Sequence, residues 1–347
     1  MNFANNLVSW YKLNKRDLPW RNTKNPYFIW LSEIILQQTR VLNGTPYYIK
    51  FISTYPRIED LAQASEDEVL KMWQGLGYYS RARNLHFTAK DITINFNGLF
   101  PKEYSQILKL KGVGVYTAAA ISSFAYNSPY AVVDGNVIRV LSRVFGIRIP
   151  FDTTAGKNYF QKLAQELLIK STPAVYNQAI MDFGATKCIP RSPNCITCPM
   201  NDICEAYNSS SVDELPLKSK KLKIRIRYLY FLIVESKGKI YIGKRKSGIW
   251  QGLYEFPNLE FAHRVDNNKL ISSEIWQDFF KISKPNILDV SDEFIHELSH
   301  QKIYAKFYYV KSYIGQLKDY ILVSKNKLRS YPVSRLMEKY LDTLDLR

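Results

Sequence analysis

The chain has 347 residues, enough for two domains of ordinary size, and 46% of them are apolar, so a sizeable core can be buried. Lysine and arginine number 48 against 31 aspartates and glutamates, and the resulting net charge of +17 favours a polyanionic partner such as nucleic acid. No apolar run is long enough to span a bilayer, and the amphipathic N-terminus lacks the apolar core of a secretory signal. We therefore expect a cytoplasmic protein without a membrane partner.

The periodicity of apolar residues changes once along the chain. Residues 1–207 show helical spacing, as in "YFIWLSEIILQQT" and "VIRVLSRVFGI". The polar stretch 208–224 has the composition of a linker, and 225–347 contain strand-like alternation, as in "KIYIGKR" and "KIYAKFYYVKSY". "ESKGK" predicts a hairpin turn between the first two strands. The pattern predicts a helical domain, a linker and an α+β domain, in that order.

Glu33 is a carboxylate in an apolar helical segment. Its neighbours three and four positions away include Ile29, Trp30 and Leu36. Desolvation on such a face would raise its pKa toward the working pH, which suits a general acid. The alternative is a structural ion pair with an arginine such as Arg21.

Two further motifs each precede a predicted helix. Gly112 and Gly114 flank one valine in "LKGVGVYTAAA", where glycine permits a turn with positive φ and the helix N-terminus suits a phosphate. An ordinary helix–helix turn is the alternative. Asp134 stands in "VVDGNVIRV", at a position where aspartate is also a favoured N-cap residue.

All four cysteines of the chain lie in one loop with the spacing C-x6-C-x2-C-x5-C, namely Cys188, Cys195, Cys198 and Cys204. In a cytoplasmic protein, clustered thiols indicate a metal site rather than disulfides. Spacing alone does not choose between zinc and an iron–sulfur cluster.

Taken together, the motifs resemble those of a known superfamily over essentially the whole chain. "LKGVGVYTAAAISS", the aspartate of "VVDGNVIRVLSR" and the cysteine loop resemble the helix-hairpin-helix DNA glycosylases that carry a [4Fe-4S] cluster. Within that superfamily, "LPWR", "WLSEIILQQTR" and "QGLGYYSRARNLH" resemble the adenine DNA glycosylase family, N-glycosyl hydrolases that remove adenine mispaired with 8-oxoguanine. The resemblance implies a mainly α helix-hairpin-helix glycosylase domain with a [4Fe-4S] loop and a C-terminal α+β Nudix-like domain. The implied partner is double-stranded DNA containing A:8-oxoguanine or A:G mispairs.

The resemblance also implies catalytic roles. Glu33 becomes the proton donor to adenine, Asp134 stabilises the oxocarbenium-like sugar, and Asn136 helps to hold the site. Tyr116 stands where bifunctional relatives carry a Schiff-base lysine, so a monofunctional enzyme is implied. The alternative for Tyr116 is simple packing of an aromatic ring at a helix start.

Recognition and cofactor residues follow in the same way. The four cysteines would hold the [4Fe-4S] cluster, and Arg21 would line the adenine pocket. Gln38 and Tyr78 would enter the duplex when the adenine flips out. Ser299 and His300 match a Phe-Ser-His loop that contacts 8-oxoguanine, although Leu298 replaces the phenylalanine.

"HELSH", from His296 to His300, also matches the zinc-protease pattern H-E-x-x-H. That pattern requires a helix, whereas the following "KIYAKFYYV" alternates like a strand, so we reject the protease interpretation. The stretch after Pro257 lacks the glutamate-rich box of Nudix hydrolases, so phosphohydrolysis is not expected. We expect a monomer, associated with the nucleoid if the source is bacterial. A glycosylase for another mismatch, a bifunctional lyase and an inert DNA-damage binding protein remain alternatives.

Overall fold

The computed structural model describes residues 3–219, 224–312, 317 and 319–344. The chain divides into two compact units, Met1–Gln63 with Asn84–Lys221 and Ala64–Arg83 with Leu222–Arg347. The outermost residues of the predicted domains, 1–2 and 345–347, lie outside the described part, as do 313–316 and 318.

Helices make up the regular structure of residues 3–208, as the periodicity predicted. They are α1 Phe3–Asn14, α2 Pro26–Ile35, α3 Val41–Thr54, α4 Ile58–Gln63, α5 Glu66–Met72, α6 Ser80–Asn95, α7 Tyr104–Ile107, α8 Val115–Tyr126, α9 Gly135–Val144, α10 Thr154–Leu167, α11 Pro173–Asp182 and α12 Glu205–Asn208. Short 3-10 helices occur at Pro19–Arg21 and Asn201–Ile203, and a π-helix at Phe183–Lys187. Within the described residues, no helix is both long and apolar enough to cross a membrane.

The core of the first unit forms around α8 and its neighbours. Helix α8 is rich in small residues and is buried from Thr117 to Ser123, so other helices can approach it closely. Helix α2 packs against α8, and α11 packs against α1, α8 and α9. This packing brings the middle of α2, the start of α8 and the start of α9 toward one another.

The second unit is built on a mixed sheet, which the described residues form from eight strands. They are β1 Arg225–Ser236, β2 Lys239–Lys244, β3 Tyr254–Glu255, β4 Asn258–Phe261, β5 Asn286–Val290, β6 Phe294–Leu298, β7 Gln301–Lys311 and β8 Tyr320–Ser324. The central path runs β3-β2-β1-β7-β5, with β4 beside β1, β6 beside β7 and β8 beside β2. Strands β1 and β7 are parallel, with Phe231 opposite Phe307.

Each face of the sheet has its own apolar core. Helix α15, Arg335–Thr343, covers one face with Leu336 and Tyr340. Helices α13, Asn267–Ile271, and α14, Glu274–Phe279, cover the other with Leu270 and Trp276. Burial on both sides explains why β1 is an almost continuous apolar run. The predicted hairpin turn between β1 and β2 is confirmed, with left-handed φ at Lys237 and Gly238.

The segment 208–219, which the sequence assigned to a linker, packs on the first unit. Ser211 and Leu215 are buried, and the Arg143 guanidinium donates to the carbonyls of Val212 and Leu215 at 3.0 and 3.2 Å. The rest of the predicted linker includes 220–223, which lie outside the described residues. The polar composition of a segment therefore does not show whether it is a linker, because its backbone carbonyls can still bind it to a folded unit.

Residues 64–83 belong to the second unit, although their helical spacing placed them with the first. Asp67 accepts from Lys244 Nζ at 2.7 Å and from Tyr254 Oη at 3.0 Å. Gln74 Nε2 donates to Glu338 at 2.9 Å. These partners are more than 170 residues away in sequence, so local periodicity could not reveal the association.

Candidate active site

A cavity of about 520 Å³ in the first unit contains the predicted catalytic residues. Glu33 comes from α2, Tyr116 from the first turn of α8, and Asp134 and Asn136 from the start of α9. Arg21 also lines the cavity. Its size is that of a small-molecule site, large enough for a single purine base.

Glu33 is buried in the cavity wall, with 7% of its surface exposed. Burial raises its pKa to about 7, and the negative charge of Asp134 acts in the same direction. Tyr116 Oη donates a hydrogen bond to Glu33 Oε2 at 2.8 Å, which favours the carboxylate and opposes the rise. A carboxyl group with this pKa can both donate and accept a proton near neutral pH.

Asp134 caps α9 and faces the cavity at the same time. Its Oδ1 accepts from the Val137 amide and its Oδ2 from Asn136 Nδ2, each at 2.8 Å. Burial raises the pKa of Asp134, and these hydrogen bonds oppose the rise. The N-cap role and a functional role are therefore compatible, because capping fixes the carboxylate in place.

Sequence reasoning missed Asp182, the last residue of α11. The carboxylate is fully buried and accepts from Arg21 Nη1 and Nη2, both at 2.6 Å. Arg16 Nη2 lies 2.5 Å from the same carboxylate. The alternative considered for Glu33, an ion pair with Arg21, is thus not what forms. The available signal was an acidic residue inside the apolar stretch "AIMDFGA".

Gln178 was also missed. It lines the cavity, and its Oε1 accepts from Tyr11 Oη at 2.8 Å. Gln178 stands four positions before Asp182 on α11, so the two side chains share a helix face. The sequence signal was a pair of polar residues at that spacing, with the apolar run Ala179–Met181 between them.

The two glycines of the hairpin between α7 and α8 differ in their conformation. Gly112 has a φ of 81°, and a Cβ added there would lie 2.8 Å from the Cβ of Asn84. Gly114 is the N-cap of α8 with a φ of −97°, and an added Cβ would meet no atom of the described residues within 4 Å. The turn needs glycine at 112, whereas glycine at 114 leaves the helix N-terminus open to a ligand.

The four cysteines line one cavity beside Arg143, whose Nη1 lies 3.5 Å from Cys188 Sγ. Within the described residues, no three His, Cys, Asp or Glu side chains converge closely enough for a single metal ion. Four thiolates from one loop are a donor set of the kind that an iron–sulfur cluster accepts.

A chain of hydrogen bonds joins the cysteine loop to the cavity that contains Glu33. Arg139 Nε donates to the Cys188 carbonyl at 2.8 Å, and its Nη2 donates to Asn136 Oδ1 at 2.9 Å. Asn136 in turn donates to Asp134. Hydrogen bonds through Arg139 and Asn136 thus connect the backbone of the cysteine loop to the Asp134 carboxylate.

In the second unit, Tyr78 and Ser299 lie on one cavity of about 440 Å³, together with Trp250, Leu298 and His300. Tyr78 Oη donates to Ser299 Oγ at 3.1 Å, and Ser299 Oγ is 3.1 Å from His300 Nδ1. Tyr78 itself has a left-handed φ of 46°, a strained conformation that is often found at binding sites.

Gln38, the other residue expected to enter the duplex, is exposed in the turn after α2 and also has a left-handed φ, 57°. It belongs to the first unit. Its side chain is therefore available to a ligand from the surface of that unit.

The histidines of "HELSH" do not form a protease site. His296 lies on strand β6, where its ring meets Trp250 edge-on at 5.6 Å, and His300 lies in the turn before β7. A zinc-protease motif requires both histidines on one helix face. The rejection of the protease interpretation is confirmed.

Comparisons with known proteins match both halves of the chain. The model of the HhH-GPD superfamily base excision DNA repair proteins matches residues 31–168, and that of the NUDIX domain matches residues 229–343. An adenine DNA glycosylase of Buchnera aphidicola subsp. Baizongia pistaciae (strain Bp) is 40% identical over 87% of this chain and 84% of its own length. One of Arabidopsis thaliana is 35% identical over 90% of this chain and 59% of its own length. The solved structure of a thermostable thymine-DNA glycosylase is 32% identical, with a TM-score of 0.56 over 60% of this chain and 95% of that one.

Proposed function

The chain belongs to the adenine DNA glycosylase family of base excision repair, and from this premise we propose that it hydrolyses adenine from duplex DNA where the adenine is mispaired with 8-oxoguanine or guanine. The family models confirm the predicted helix-hairpin-helix and Nudix-like domains. The observation that carries the proposal is the buried Glu33, with a pKa of about 7, in one cavity with Tyr116 and Asp134.

The two carboxyl groups divide the chemistry between them. Protonated Glu33 donates its proton to a ring nitrogen of adenine, so the bond between the base and C1′ breaks with its electron pair leaving on the base. The ionised Asp134 stabilises the positive charge that develops on the sugar, as in glycoside hydrolysis. Water then adds to C1′ and returns a proton to Glu33. Removing an electrostatic group of this kind typically costs about 3–4 kcal/mol of transition-state stabilisation.

The surroundings support hydrolysis without strand cleavage. No lysine is among the described residues that line the cavity. The resemblance to the glycosylases implies that Tyr116 stands where bifunctional enzymes carry a Schiff-base lysine. The nearest preceding lysine, Lys111, contacts the Phe87 ring at 4.2 Å. Asn136 holds Asp134 in place, and Arg21 lines the base pocket.

Recognition of the DNA is assigned to residues of both units. The turn that Gly112 permits would present the N-terminus of α8, at Gly114, to a phosphate, helped by the net charge of +17. Gln38 and Tyr78 would fill the gap left by the flipped adenine. The Ser299 hydroxyl, with His300 beside it, would read the 8-oxoguanine.

The resident cofactor proposed for the cysteine loop is a [4Fe-4S] cluster held by Cys188, Cys195, Cys198 and Cys204. When bound, the cluster would brace the loop by fixing four points of its backbone. Arg139 would carry that rigidity to Asn136 through its hydrogen bonds. We expect the enzyme to act as a monomer.

The test is single-turnover cleavage of duplexes carrying A:8-oxoguanine, A:G or A:T, each analysed with and without hot alkali. A G:T duplex is included because a thymine-DNA glycosylase is among the similar structures. We expect cuts only after alkali, fastest opposite 8-oxoguanine. Glu33→Gln should abolish them while DNA binding persists. Glu166→Gln, which alters an exposed glutamate of α10, is the matched control.

Each alternative has its own outcome. Cuts without alkali would indicate a lyase nucleophile. Release of thymine from G:T that is faster than release of adenine would indicate a glycosylase for another mismatch. Tight binding to DNA without cuts would indicate an inert damage-binding protein. Equal turnover by Glu33→Gln and wild type would overturn the catalytic assignment.

A further inference from the structure

Asp182 is a buried carboxylate that binds two arginines. It has 0% exposure and ends α11. Arg21 contacts it with two parallel N–H···O bonds of 2.6 Å, and Arg16 contacts it through its backbone N–H at 3.1 Å and its Nε at 2.7 Å. Bidentate pairing of this kind fixes both the position and the plane of a guanidinium.

The position of Arg21 matters because it lines the same cavity as Glu33. A mobile guanidinium in that cavity would be drawn to the nearest carboxylate and would favour its ionised form. Among the described residues, Arg21 forms its ion pair with Asp182, whereas Glu33 forms none. Two carboxyl groups compete for one arginine, and the structure shows which of them binds it.

We propose that Asp182 is a positioning residue for catalysis: by holding the Arg21 guanidinium, it prevents an ion pair between Arg21 and Glu33 and so keeps Glu33 available as the proton donor. The inference rests on the proposed role of Glu33. Asp182 would thus act in the reaction through Arg21, although it is not itself among the residues that line the cavity.

The charges around both carboxyl groups set the direction of the effect. Glu33 is faced by Tyr116 from α8, Asp134 from the start of α9 and Arg21 from the 3-10 helix. Asp182 is faced by Arg21, by Arg16 and by Tyr11 of α1. Replacing Asp182 with a neutral residue removes a negative charge from this region and also frees Arg21. Both changes favour the carboxylate of Glu33.

The first test is the pH dependence of single-turnover adenine release by Asp182→Asn. We expect the midpoint of the fall at high pH to move at least about one unit toward acid, which is about a tenfold loss at alkaline pH with little change at low pH. NMR titration of the ¹³C-labelled Glu33 carboxyl, without DNA, should show the same shift. Asp182→Glu should restore the midpoint, and Glu214→Gln, an exposed acid paired with Arg148, should leave it unchanged.

A second variant covers the case in which Asp182→Asn does not fold. Arg16→Gln combined with Asp182→Asn removes one cation and one anion, so the buried cluster keeps its net charge while Arg21 is released. The same acid shift is expected. A uniform loss of rate at every pH, with the midpoint unmoved in the variant that folds, would mean that Asp182 is only structural.

The two proposals fail differently. If wild-type turnover does not depend on Glu33, the proposed function itself is wrong. If turnover depends on Glu33 but neither Asp182 variant moves the midpoint, only the positioning role is wrong.

Discussion

Removing the hydroxyl of Tyr116 should extend activity to higher pH. Tyr116 Oη donates to Glu33 Oε2 at 2.8 Å, and this bond favours the carboxylate over the neutral acid. In Tyr116→Phe the ionised Glu33 loses that donor in a site where burial already disfavours charge. The pKa of Glu33 should therefore rise above its wild-type value.

The magnitude follows from the strength of the bond. A hydrogen bond to a charged group contributes about 1.5–3 kcal/mol, and one pKa unit corresponds to about 1.4 kcal/mol. The pKa of Glu33 should thus rise by about 1–2 units from about 7. Since the proposed role of Glu33 requires its protonated form, the fall in turnover at high pH should move upward by the same amount. The maximal rate should drop, because the resemblance to the glycosylases implies that this tyrosine also helps to stabilise the transition state.

The assay is the single-turnover rate on an A:8-oxoguanine duplex across the neutral and alkaline range. Tyr126→Phe is the matched control, because it removes a hydroxyl from the other end of α8, where Tyr126 donates to the Phe100 carbonyl at 3.2 Å. A midpoint that stays in place or moves toward acid in Tyr116→Phe would refute the reasoning about Glu33.

The other predictions concern stability, the hairpin, base discrimination and the cofactor. Folding raises the pKa of Glu33 from 4.5 to about 7, so the free energy of unfolding of the wild type falls as pH rises through this window. Glu33→Gln should therefore be more stable than wild type by up to about 3 kcal/mol at alkaline pH, and no more stable at about pH 4. Denaturant titration at both pH values measures this difference. Gly112→Ala should destabilise the first unit by about 1–2 kcal/mol, because the turn needs a positive φ at this position. Gly114→Ala should leave stability unchanged and weaken DNA binding, and the DNA affinity is measured by titration at fixed salt. Ser299→Ala should lower the preference for A:8-oxoguanine over A:G by about fivefold in a competition assay, and an unchanged ratio would remove Ser299 from recognition. Cys198→Ser should lose iron and visible absorption relative to wild type, and retention of both would exclude it as a ligand.

Several features could be predicted from the sequence because short-range chemistry decides them. The helical spacing up to residue 207 and the strand alternation after 225 are properties of adjacent residues, and both are found in the structure. The positive φ at Gly112 and the turn at Lys237 and Gly238 follow from the conformational freedom of glycine. The sequence also correctly predicted that "HELSH" is not helical, because the residues after it alternate between apolar and polar as in a strand.

Other features depend on contacts between distant parts of the chain. The pKa of Glu33 depends on a tyrosine 83 residues away, and the partner of Arg21 is an aspartate 161 residues away. Residues 64–83 join the second unit through partners such as Glu338.

The residue types and local conformations of this protein were thus determined by its sequence, including an acid in an apolar helix, a carboxylate at an N-cap and four thiols in one loop. Only the tertiary structure decided that Arg21 binds Asp182. Only the tertiary structure decided that Glu33 is the carboxyl group whose pKa is raised to about 7. The physical reason is that ionisation in a protein interior depends on the charges and hydrogen-bond donors within a few ångströms, and folding alone brings those groups together.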